Sequence, residues 1–151
     1  MVNNTQLNST AFSATLHCLT GCAIGEVLGM VVGNALNFHE AITIVLSVTL
    51  AFIFGYSLSM LPILKHGLSL RQAIKVALAA DTVSIATMEL TDNAFMLAVP
   101  GAMDAGLGSL LFWLSLGMSL VVAFLFAYPV NRWLIVRGKG HAVVHKYHTQ
   151  H

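Results

Sequence analysis

Four apolar runs, each long enough to cross a lipid bilayer, are the feature that most limits what this chain can fold into. They cover residues 11–33, 41–64, 72–99 and 105–128. A hydrocarbon core of ~30 Å takes about 20 helical residues, and each run supplies them. In such a medium the backbone must satisfy its own hydrogen bonds, which helices do. The reading is therefore all-α: an integral membrane bundle of four transmembrane helices over residues 1–137, with a cytoplasmic His-containing tail over residues 138–151. Composition agrees. Charged residues make up only 9% of the chain and hydrophobic ones 57%, against roughly 25% charged in an ordinary soluble domain. So few charges cannot clothe a water-facing surface, and a lipid bilayer is the expected surrounding. A net charge of +1 leaves no electrostatic footprint for nucleic acid. No Lys or Arg precedes the first run, so that run is not expected to be a cleaved secretory signal.

Helix boundaries carry their own punctuation. Asn37 with Glu40 reads as a capping box for the second helix, and Ser69 with Gln72 as one for the third. Pro100 and Gly101 stop the third helix. Asp104 is read as the N-cap of the fourth, and Pro129 as its bend or end.

The basic residues orient the bundle. Lys65, Arg71 and Lys75 lie around the connection between the second and third helices, and Arg132, Arg137, Lys139 and Lys146 follow the fourth. With four spans these regions share one side, which the positive-inside rule makes cytoplasmic. Both termini are then cytoplasmic. The outer connections hold Glu40 and Asp104 and no Lys or Arg.

The strongest chemical signal is the set of carboxylates inside the apolar runs: Glu26, Asp81, Glu89 and Asp92. A carboxylate at mid-bilayer costs about 2.5–3.5 kcal/mol on insertion scales, so such groups face the bundle interior or a wet cavity. They are read as an ion or proton pathway. The bland alternative is a protonated carboxyl that bonds one helix to another.

The first helix adds two stripes with a spacing of four, the repeat of one helical face. Gly21, Gly25, Gly29 and Gly33 follow His17 and form a tandem small-xxx-small pattern, which lets another helix backbone approach closely. That stripe is assigned to helix packing, within the chain or in a homo-oligomer. Beside it, Cys18, Cys22, Glu26 and Met30 stand in line. Thiolate and thioether are soft ligands that favour Cu(I), and thiolate with imidazole also suits Zn(II). The candidate metal ligands are His17, Cys18, Cys22, Met30 and Met88. Cysteines that merely pack beside glycine are the alternative.

In the third helix Asp81, Ser84, Met88, Asp92 and Met96 fall near one face, with Glu89 beside it. The first and third helices run in the same direction. At ~1.5 Å per residue, Asp81 is expected level with Cys18, Glu89 with Glu26, and Asp92 with Met30. The second and fourth helices are read mainly as packing elements. In the tail His141, His145 and His148 could line one helical face as further metal ligands.

The segments LHCLTGCAIGEVLGM, ADTVSIATMELTDN and RGKGHAVVH resemble a family of small bacterial membrane proteins filed as domain of unknown function, family 4396. The resemblance implies a four-helix protein of the bacterial inner membrane and brings no activity with it.

The leading functional expectation is membrane transport or handling of a transition metal ion, Cu(I) or Zn(II). The alternatives are a proton- or cation-coupled carrier or channel that uses the carboxylates without metal, and a non-transporting assembly subunit. An enzyme is not expected, because HExxH, GxSxG and P-loop patterns are missing.

Overall fold

The structure, a computed structural model, describes residues 4–65, 67 and 69–137. These form four helices and no strand: α1 Asn4–Ala35, α2 Glu40–Lys65, α3 Leu70–Ala98 and α4 Leu110–Val136. Three of them, α1, α2 and α4, are long and apolar enough to cross a membrane. The 29-residue α3 matches them in length, but carries Arg71, Lys75, Asp81, Glu89 and Asp92 along it. Large apolar side chains point outward, with Leu90 75% and Leu110 72% exposed, while the carboxylates point inward. This inversion of the water-soluble pattern makes the chain a membrane protein that contacts the lipid bilayer.

The glycine stripe fixes the first pair of helices. A Cβ on Gly21 would stand 2.6 Å from the Gly55 Cα, and one on Gly25 would strike the Ala51 backbone. Gly29 meets Ser47 in the same way, and Gly33 meets Thr43. The partner is α2 of the same chain, antiparallel and in constant register. It presents its own stripe of small residues, Thr43, Ser47, Ala51 and Gly55. The stripe is thus occupied within the chain and supplies no argument for a homo-oligomer.

The helix ends correct some of the boundary expectations. Ser69 and Gln72 do form the capping box of α3, and α3 ends just before Pro100. Asn37, by contrast, does not cap α2. Its φ is +53°, and Phe38 N–H donates to the Gly33 carbonyl at 2.8 Å and Asn37 N–H to Asn34 at 3.2 Å. Asn37 therefore closes α1 in a Schellman motif, the left-handed position that asparagine tolerates. Asp104 does not cap α4 either. Gly106 and Gly108 follow it, and the connection folds back so that Trp113 Nε1 donates to the Leu107 carbonyl at 2.8 Å. The helix starts only at Leu110. Pro129 does not end α4, which runs on to Val136. The extension is held by α1, whose helix begins at Asn4 and packs Leu7 and Ala11 against Ile135 and Tyr128. A neighbouring helix of this kind is what lets membrane helices absorb a proline.

Candidate functional site

The polar groups lie along the seam between α1 and α3. Asp81 stands level with Cys18 as expected, but Glu89 adjoins Cys22 as well as Glu26, and Asp92 adjoins Glu26 rather than Met30, about one helical turn from the expected level. Thr15 and Asn131 mark one end of the seam. The Asn131 amide on α4 donates to Thr15 Oγ1 at 2.8 Å, with both side chains buried. Next comes Cys18, wholly buried. Its thiol donates to Asp81 Oδ1 at 3.8 Å and lies 3.7 Å from Ser59 Oγ on α2. One turn further along α1, the Cys22 thiol adjoins the Glu89 carboxyl. Another turn brings Glu26 beside Asp92 and Glu89. Asp92 accepts a hydrogen bond from Ser119 Oγ on α4.

Burial is nearly complete at each of these carboxyls. Glu26 and Asp81 are 2% exposed, Asp92 4% and Glu89 5%. Neither oxygen of Glu26 or Glu89 has a hydrogen-bond partner, nor does Oδ2 of Asp81. Buried polar atoms are almost always paired, which sets these oxygens apart from the rest of the interior. No Lys, Arg or His is among the buried residues described. Lys65, Arg71, Lys75, Arg132 and Arg137 are all exposed. They lie at the end of the bundle where α2 and α4 finish and α3 begins. There the Arg137 guanidinium sits over the Trp133 ring, 4.3 Å from its centre. Two adjoining carboxyls without a cation of their own, such as Glu26 and Asp92, can share a proton or clasp a cation.

At the opposite end a cavity of about 450 Å³ descends from the connections between helices to Glu26 and Asp92. Its rim includes the exposed residues Asn37, Glu40 and Asp104. Met30, Met96 and Phe112 belong to its wall.

The metal-ligand set fares differently. Both cysteines do point into the bundle, with Met88 packed in the same buried cluster. Met30 sits apart from them, with Met96 beside the cavity. His17 is turned away. It lies on an exposed face and its Nδ1 donates to the Ser13 carbonyl at 2.8 Å, so it cannot join the cysteines one face over. Among the described residues, no group of three or more His, Cys, Asp or Glu side chains gathers to hold a metal ion. His141, His145 and His148 lie outside the described residues.

Sequence reasoning missed the polar contribution of α4. Ser115, Ser119 and Asn131 are buried, and with Ala123 and Ala127 they form a stripe at a spacing of four. That spacing was the available signal, the same one that marked the α1 glycines. In an otherwise apolar helix, single Ser and Ala residues carry no signal of their own.

A family model described as a domain of unknown function (DUF4396) matches residues 7–140 of the chain. No curated protein and no solved structure matches it.

Proposed function

We propose that this chain, which belongs to the DUF4396 family, is a membrane transport protein in which a proton or a cation moves along the carboxylates between α1 and α3. The observation that carries this reading is the orphaned state of Glu26 and Glu89, both buried with neither carboxyl oxygen hydrogen-bonded. Asp81 and Asp92 continue the line on either side. A structural network would be expected to pair these oxygens, since an unpaired buried polar group is costly. A pathway needs them free to take up and release their cargo.

In this reading the chain sits in a bacterial inner membrane with both termini in the cytoplasm. The support is the split of charge, with the described Lys and Arg residues at one end and Glu40 and Asp104 at the other. The test is flux in proteoliposomes that enclose a pH-sensitive dye, driven by a potassium gradient with valinomycin. The wild type should acidify or alkalinise the lumen according to the imposed potential. Glu26→Gln and Glu89→Gln should reduce that flux to the level of empty vesicles. Wild-type flux from both variants would refute the pathway.

Transition-metal handling is the second reading, and the inward-facing thiols favour it. Cys18 with Asp81, and Cys22 with Met88, offer soft and hard donors in one buried region. His17 would take no part. Cu(I), which accepts low coordination, suits this set better than Zn(II), which asks for about four ligands. Metal content of the purified wild type is to be compared with that of a Cys18→Ser, Cys22→Ser double variant under reducing conditions. Equal metal in both would end this reading.

A further inference from the structure

We infer that the cavity above Glu26 and Asp92 is a binding site for a small organic ammonium ion, which makes an organic cation the cargo. This inference rests on the transport reading given above.

The charge of the cavity excludes anions. Glu26 and Asp92 form its floor, and Glu40 and Asp104 stand at its rim, while no Lys, Arg or His lines it. Acidic residues alone would not make a site. Glu26 supplies the independent sign, because it is 98% buried by its 2% exposure, lines the cavity, and has both carboxyl oxygens unpartnered. Such a group, with Asp92 beside it, can serve as the counter-ion of a bound cation.

Size and wall chemistry then choose among cations. A volume of about 450 Å³ falls within the range of small-molecule sites, about 300–1,000 Å³. A bare metal ion or a proton needs no such space. A hydrated inorganic ion would fill it, but would want hydrogen-bonding walls all round its water shell. The wall instead carries Met30, Ile44, Val48, Met96 and Phe112. Hydrogen-bonding groups gather toward the mouth, at Asn34, Asn37 and Thr43, and toward the floor, at Ser47 and Asn93 beside the carboxyls. Alkyl groups on an ammonium nitrogen shed water readily, pack against thioethers, and place positive charge over an aromatic face. Phe112, 3% exposed, is the buried aromatic residue of that lining. The cavity therefore fits a cationic head with a small apolar body.

Isothermal titration calorimetry on the purified full chain, with tetramethylammonium and tetraethylammonium chloride as probes and sodium chloride as control, tests this. The wild type should bind at least one ammonium saturably and sodium not at all. Glu26→Gln, which keeps the shape and removes the charge, should weaken binding by on the order of tenfold or more. Val48→Trp, which fills the cavity, should do the same. If that variant fails to fold, Glu26→Gln decides alone. Absence of saturable ammonium binding by the wild type, or equal affinity in Glu26→Gln, overturns the site. Dye-reported flux separates the two readings. Flux without ammonium binding overturns the cargo while the pathway stands. Ammonium binding with neither proton flux nor uptake of radiolabelled tetraethylammonium into the proteoliposomes supports the site and overturns transport.

Discussion

Glu26 and Glu89 occupy the least forgiving positions on the α1–α3 seam, because each buries a carboxyl with no hydrogen-bond partner. A mid-membrane carboxylate costs about 2.5–3.5 kcal/mol, and function is the natural reason to keep such a group. The amide variants should therefore not lower stability. In thermal unfolding followed by tryptophan fluorescence, Glu26→Gln and Glu89→Gln should melt at or above the wild-type temperature, even as flux is lost. A clear drop in both would recast the carboxyls as structural glue. These residues were legible in the sequence, since a carboxylate in an apolar run declares itself against its background. His17 was not. It begins the glycine stripe by number, but a side chain at the edge of a helical face can turn outward, and the Ser13 carbonyl one turn back captures its ring nitrogen. Asn37 was misread for a related reason. Asparagine suits both a helix N-cap and the left-handed position after a helix, and only the path of the chain between α1 and α2 decides.

At the scale of elements, the contact between α1 and α2 allows a quantitative expectation. Gly25→Leu would drive a side chain into the Ala51 backbone, which no rotamer change can relieve. Overpacking a filled core costs about 1–3 kcal/mol, and a backbone clash belongs at or above the top of that range. Size-exclusion chromatography should show loss of the folded particle, or a melting temperature well below wild type. Gly117 has nothing near a Cβ, so Gly117→Ala serves as the harmless control. Three helices, α1, α2 and α4, were readable from apolar length, and the α3 capping box from local sequence. Their lengths were less so. The start of α1 and the end of α4 stabilise each other through Leu7, Ala11 and Ile135, residues more than a hundred positions apart. No local signal reports such a contact, so Pro129 looked like a terminator. The stripe on α2 and the polar stripe on α4 were hidden because serine and alanine fit lipid-facing and buried positions equally well.

At the scale of the whole molecule, the charge split gives a direct test of orientation. In cells, Asn37→Cys should react with a membrane-impermeant maleimide added from outside, and Cys18 and Cys22, both buried, should stay silent. A cytoplasmic reporter fused after His151 should be active. Labelling of Asn37→Cys only after the membrane is opened would invert the bundle. The close register of α1 on α2 has a mechanical corollary. Two helices joined through bare glycine have no side-chain cushion on which to slide, so together they behave as one plank. The yielding joint is then the seam with α3, where the ionisable groups sit. Under the proposed transport function, locking Cys22 to Met88→Cys across that seam should lower turnover, and unchanged turnover would show that the seam need not yield.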